Sequence, residues 1–215
     1  MPFTFPTPLY PIIDTLGDPR GSHVELARAV LDGGARFLQL RVKHQPTQRF
    51  VEIARAVKKL TDGARAQLII NDRPDIAQLV DAAGVHLGQQ DIPAAAARRV
   101  LGATKIVGVS THNLEQAEAA ARDGSADYLG YGPIFPTASK DHPDPVQGLD
   151  GLRRVRARIT LPLVAIGGIT AATMPDVLNA GADAVAMISE IIRAADVAAR
   201  VRALLQLQPP PVRQL

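Results

Sequence analysis

Short runs of β-branched and aliphatic residues recur along the chain, and a stretch with helical spacing follows each of them. The runs are Leu9–Ile13, Phe37–Arg41, Gln67–Ile70, Gly84–Leu87, Lys105–Val109, Ala126–Gly130, Leu163–Ile166 and Ala184–Met187, eight in all. Between them, apolar residues return every three or four positions. Val24, Ala27, Val30 and Leu31 share one helix face, and Phe50, Ile53, Val57 and Leu60 share another. Ile191, Ile192, Val197, Val201 and Leu205 predict one final helix. Glycines at 33–34, 63, 124 and 181 stand where helices should stop, and Asn113 with Gln116 reads as a capping box.

Repeated strand–helix units imply parallel strands joined by right-handed crossovers. Eight of them predict an α/β protein of the (β/α)8 TIM-barrel class. A doubly wound open sheet would need a glycine-rich fingerprint after the first strand, and Asp14-Thr15-Leu16-Gly17 is not one. The expected organisation is a single barrel domain over residues 1–207, with a Pro-rich tail at 208–215. Residues 132–148 form a long connection after the sixth run, a length that suits a functional lid.

Composition narrows the picture. A chain of 215 residues suits one barrel, and 47% hydrophobic content supplies its core with only 4% aromatic residues and no Trp. Cysteine is absent, which excludes disulfides, thiolate metal sites and a Cys nucleophile. The N-terminal stretch lacks a basic start followed by a long apolar run, and no stretch reaches the roughly 20 apolar residues of a membrane span. A cytoplasmic location is expected, with no membrane partner. Net charge is +3, and the basic residues are scattered along the helices rather than clustered, so no nucleic-acid partner is expected.

Barrel enzymes gather their chemistry just past the strand ends, so each strand exit is a candidate site. After the second run, alternation sends Gln39, Arg41 and Lys43 to one side, where a phosphate chain or a set of internal carboxylates could balance their charge. Asn71-Asp72 follows the third run and Asp91 the fourth. Two carboxylates at adjacent exits can share one hard cation such as Mg2+. The plain alternatives are a helix cap for Asp91 and a salt bridge from Asp72 to Arg41 or Lys43. Ser110 and His112 follow the fifth run, and Thr137, Ser139 and Lys140 the sixth. Gly167-Gly168 follows the seventh run and Ile188-Ser189 the eighth, where barrels commonly cradle a phosphate on bare backbone. This arrangement gives two unlike anion sites facing one another. They suggest condensation of two phosphorylated small molecules, with diphosphate as leaving group.

These motifs, in order, resemble those of thiamine-phosphate synthases. They are Gln39-Leu40-Arg41-Val42-Lys43, Asn71-Asp72, His86-Leu-Gly-Gln-Gln-Asp91, Gly108-Val-Ser110-x-His112, Gly132-Pro-Ile-Phe-Pro-Thr137-Ala138-Ser139-Lys140, Ala165-Ile-Gly-Gly-Ile169 and Met187-Ile188-Ser189. The resemblance implies capture of a hydroxymethylpyrimidine diphosphate by the ring nitrogen of a thiazole phosphate. It assigns the pyrimidine diphosphate to Gln39, Leu40, Arg41, Val42, Lys43, Asn71, Ser110 and Lys140, with Arg41, Lys43, Ser110 and Lys140 acting in catalysis. It gives Mg2+ to Asp72 and Asp91. It gives the thiazole phosphate to Thr137, Ala138, Ser139, Gly168, Ile188 and Ser189. Ser139 stands where similar proteins often carry Thr, and Pro11 and Ile13 depart from the common first-strand pattern. The expected partners are small phosphorylated substrates, and a homodimer is compatible with the sequence. Competing readings are a thiazole tautomerase-like paralogue, which would keep the thiazole site and use His112, another phosphosugar barrel enzyme, and a non-catalytic thiamine-precursor-binding regulator.

Overall fold

A computed structural model describes residues 3–15, 21–137 and 144–207. Its strands are β1 (Leu9–Ile13), β2 (Phe37–Leu40), β3 (Gln67–Asn71), β4 (Gly84–Leu87), β5 (Ile106–Thr111), β6 (Tyr128–Tyr131), β7 (Leu163–Ile166) and β8 (Ala184–Met187). Each pairs in parallel with the next, and β8 closes on β1 to give a barrel in strict sequence order. Pro11 lies inside β1, opposite Met187 of β8, so the departures noted in the first strand do not prevent its pairing.

The helices between the strands are α1 (His23–Asp32), α2 (Thr47–Gly63), α3 (Pro74–Leu79), α4 (Ala94–Leu101), α5 (Leu114–Asp123), α6 (Gly148–Arg156) and α7 (Met174–Asn179). Their apolar faces are the expected ones: Ala27, Val30 and Leu31 are buried on α1, and Phe50, Ile53 and Val57 on α2. The region after β8 departs from the single helix expected there. It divides into α8 (Ser189–Ile192) and α9 (Val197–Leu205), because the Asp196 side chain accepts from the Ala199 backbone N–H at 2.8 Å and starts a new helix. Gly63 ends a helix as expected. It is the last residue of α2, and Arg65 two positions later takes the left-handed conformation. Asn113 caps α5 at 2.8 Å from the Gln116 N–H, but Gln116 reaches back to the His112 N–H rather than to Asn113 itself.

Two cores result. The larger lies between barrel and helices, and the smaller fills the barrel with Tyr10, Ile12, Phe37, Ile69, Tyr128, Val164, Ala184 and Ala186. Phe3 and Phe5 pack against this inner core, with ring centroids of Phe5 and Tyr128 5.1 Å apart. The long-side-chain aromatics fit because small residues face them. A Cβ on Gly108 would lie 2.1 Å from the Tyr128 ring and 2.6 Å from the His86 ring. These side chains fill the barrel interior beneath the carboxyl ends of its strands.

One device recurs at the opposite end. Asp127, just before β6, accepts from the Val107 N–H of β5 at 2.7 Å and from Arg98 of α4 at 2.6 Å. Asp183, just before β8, accepts from the Leu163 N–H of β7 at 2.7 Å and from Arg156 of α6 at 3.0 Å. Each carboxylate satisfies a strand-start amide and pins the preceding helix to it. Among the described residues, no helix is long and apolar enough to cross a membrane.

Candidate active site

A cavity opens at the carboxyl ends of the strands, where the loops converge. Of the residues singled out in the sequence, Gln39, Arg41, Asn71, Ser110, His112, Thr137, Gly168, Ile188 and Ser189 line it. Lys43, Asp72 and Asp91 are not among its lining residues, and neither are Leu40 and Val42. Alternation turns Leu40 and Val42 outward into the core between barrel and helices, both at most 7% exposed, so any contact they make with a ligand is through backbone. Ala138, Ser139 and Lys140 lie outside the described residues, as do the middle of the expected lid and the tail at 208–215.

The cationic side of the mouth is built on β1 to β4. Arg41 follows β2 directly and pairs with Asp14, which follows β1 and is 4% exposed. Lys43 pairs with Asp72. The internal ion-pair reading of these charges therefore holds as geometry, and it does not displace the anion reading. The carboxylates fix where the cations point while Arg41 still faces the cavity. Asp72 sits at φ 63°, a conformation an Asp tolerates with modest strain. Its backbone N–H bonds to the His86 carbonyl at 2.8 Å, which ties the exit of β3 to that of β4.

Asp91 is not the cap of α4, whose first turn follows Pro93. Its carboxylate instead accepts from the Gly88 N–H at 2.6 Å and so closes the turn after β4. That turn brings Asp91 against Asp72. Burial pushes the Asp91 carboxyl upward, and the neighbouring Asp72 adds to the shift. Two carboxylates crowded together favour either a shared proton or a hard cation between them. Their oxygen donors suit Mg2+, which needs few protein ligands and completes its shell with water and phosphate oxygens.

The opposite side, on β6 to β8, is largely backbone. Gly167 and Gly168 both take positive φ, at 100° and 62°. A Cβ on Gly168 would meet the Pro136 carbonyl oxygen at 2.4 Å, so no larger residue fits this turn. The loop after β6 is strapped to it: Ile134 and Phe135 donate backbone N–H groups to Ile166 and Gly167 at 2.9 and 3.0 Å. Thr137, Gly168 and Ser189 all line the wall formed there. Glu190 lies at its edge, accepting from the Ala171 N–H at 3.0 Å and pairing with Arg200.

The floor holds residues that reading strand exits alone did not single out: Tyr10 of β1, His86 of β4 and Tyr128 of β6. Tyr10 and His86 line the cavity, and Tyr128 lies beneath, hydrogen-bonded to both. Applied to every strand as it was to β2, alternation would have found them, since Tyr10, Gln39, His86 and Tyr128 all occupy inward positions. Burial pushes the Tyr10 and Tyr128 phenols well up, so both stay protonated. At the rim, His112 Nδ1 lies 2.8 Å from the Gly132 carbonyl and 3.5 Å from the Asp144 carboxylate.

The sequence matches the family model described as thiamine monophosphate synthase over residues 9–191. A thiamine-phosphate synthase of Chloroflexus aurantiacus is 48% identical over 200 residues, covering 93% of this chain and 91% of the relative. One from Moorella thermoacetica is 48% identical over 200 residues, covering 93% and 94%. Among solved structures, thiamine phosphate pyrophosphorylase from Pyrococcus furiosus superposes with a TM-score of 0.81 at 39% identity, covering 91% of this chain and 92% of that one. With this agreement over nearly its whole length, the chain belongs to the thiamine monophosphate synthase family.

Proposed function

We propose that the protein is a thiamine-phosphate synthase, a transferase joining 4-amino-2-methyl-5-(diphosphooxymethyl)pyrimidine to a thiazole phosphate, carboxylated or not, with release of pyrophosphate. The observation that carries this reading is the division of one cavity mouth into two unlike halves. One half has paired cations and two adjacent carboxylates. The other is a glycine-backed wall with hydroxyls and no Lys or Arg among its described cavity-lining residues. A barrel enzyme for a single phosphorylated substrate needs only the second half.

In this reading Arg41 and Lys43 hold the diphosphate, held in aim themselves by Asp14 and Asp72. Asn71 and Ser110 line the path between diphosphate and ring, Gln39 orients the ring, and Lys140 would close on the diphosphate from the loop. Asp72 and Asp91 would hold Mg2+, which when bound neutralises charge on the departing diphosphate. Thr137, Ala138, Ser139, Gly168, Ile188 and Ser189 would hold the thiazole phosphate. The bond from the pyrimidine methylene carbon to the diphosphate oxygen breaks, and its electron pair leaves with pyrophosphate. The thiazole nitrogen lone pair then forms the new carbon–nitrogen bond, leaving that nitrogen positively charged. No proton transfer is needed to make this bond, which agrees with a site built from cations and donors rather than around a general base.

Calorimetric titration of each precursor alone tests the division. The pyrimidine diphosphate should bind only with Mg2+ present, and the thiazole phosphate with or without it. Asp91→Ala should abolish the first and leave the second within about two-fold. Equal loss of both would make Asp91 structural and remove the metal site from the account.

A further inference from the structure

One carboxylate stands in the half of the mouth that is otherwise bare backbone and hydroxyls. Glu190, the residue after Ser189, lines the cavity, and its side chain is 19% exposed. It accepts from the Ala171 N–H at 3.0 Å, which ties the segment after β8 to the loop after β7. It also pairs with Arg200 of α9. Arg200 does not line the cavity. It lines a separate groove between α8 and α9, together with Glu190, Arg193 and Asp196. Asp144, the other acidic residue lining the cavity, lies at the rim, 3.5 Å from His112 Nδ1.

A carboxylate beside an anion site opposes the anion, and the repulsion grows in proportion to the charge the ligand carries. Arg200 offsets most of the Glu190 charge from the far side, so the wall offers a phosphate little net attraction or repulsion. Binding there depends on hydroxyl and backbone N–H donors. A monophosphate can use those donors at small cost. A diphosphate gains the same donors but brings more negative charge past the same carboxylate, and no Lys or Arg among the described residues of the wall offsets it. Two phosphorylated substrates share this mouth in the proposed reading, so each half must refuse the other's phosphate group. Discrimination of that kind comes from a placed repulsion as much as from attraction.

We infer that the Glu190–Arg200 pair makes the wall after β7 and β8 selective for a monophosphate over a diphosphate. Glu190 supplies the repulsion, and Arg200 limits it to what a monophosphate overcomes. The inference rests on the proposed synthase reading for which substrate the wall takes. Arg200 is then a positioning residue, since it meets the ligand only through Glu190.

The test is calorimetry without Mg2+, with thiazole phosphate, inorganic phosphate and pyrophosphate as probes. Wild-type protein should bind thiazole phosphate, and pyrophosphate should displace it only at about 100-fold higher concentration. Glu190→Gln keeps an oxygen to accept from the Ala171 N–H and removes the charge. It should tighten pyrophosphate about ten-fold and thiazole phosphate about three-fold. Arg200→Met leaves Glu190 without its cation and should weaken thiazole phosphate about five-fold. The double variant Glu190→Gln with Arg200→Met should return that affinity to within about two-fold of wild type, a rescue that loss of a merely structural contact would not show. Arg193→Met, in the same groove, should change neither affinity. Equal gains for both ligands in Glu190→Gln would overturn the proposal, because the carboxylate would not be selecting by charge. A double variant as weak as Arg200→Met, or an equal loss in Arg193→Met, would overturn it too. If wild-type protein binds inorganic phosphate but not thiazole phosphate, the synthase reading fails, and inorganic phosphate against pyrophosphate in the same variants still decides the selectivity. A wall that takes neither monophosphate overturns both.

Discussion

At Asp91 one side chain serves two ends. Its carboxylate closes the turn after β4 through the Gly88 N–H, and the same turn presses it against Asp72. Because its pKa is raised in the folded protein, folding takes up a proton between the ordinary value of 3.8 and the raised one. The resulting stabilisation is complete below 3.8 and is lost as pH rises through the raised folded-state value. Without metal, Asp91→Asn should therefore melt above the wild type at neutral pH, and the gap should vanish toward pH 4; thermal melts across that range check the sign. A wild type that is the more stable at neutral pH without Mg2+ would show that the carboxylate is relieved in some other way. Gly108 makes a sharper case. Gly108→Ala forces apart the Tyr128 and His86 rings inside a close-packed barrel, and overpacking of this kind costs about 1–3 kcal/mol. Chemical denaturation should register that loss, together with weakened pyrimidine binding. These residues also mark how far the sequence could be read. The strand exits gave Gln39, Arg41, Asn71, Asp72 and Ser110 directly, because polar residues stand out against apolar strands. Tyr10 and Tyr128 did not stand out, since an aromatic residue inside a strand looks like ordinary core until its hydroxyl is placed.

Among elements, the strands were legible because each is a short apolar run, and the helices because their buried faces keep a 3.6-residue period. The boundary that differed was decided by a single side chain: Asp196 restarts the last helix as α9. Asp127 and Asp183 show the same kind of local control, each holding a strand start to the helix before it. Asp183→Ala leaves the Leu163 N–H and the Arg156 guanidinium without their shared acceptor. A loss of about 1–3 kcal/mol is expected by denaturant unfolding, with ligand affinity at the far end of the barrel unchanged. If stability held and binding fell, the carboxylate would be acting on the site rather than on the scaffold.

For the molecule as a whole, strict strand order and a solid barrel interior leave one place where eight strand exits meet, and the chain distributes its chemistry unevenly around it. Charge collects after β1 to β4, and bare backbone after β7. The likeness to thiamine-phosphate synthases extends over nearly the whole chain. The central claim is that the two halves hold two substrates at once. Its most direct test mixes the purified protein with the pyrimidine diphosphate, the thiazole phosphate and Mg2+, and follows both products. Thiamine phosphate and pyrophosphate should appear in equal amounts and only when both precursors are present. Absence of both products with both precursors supplied would contradict the account.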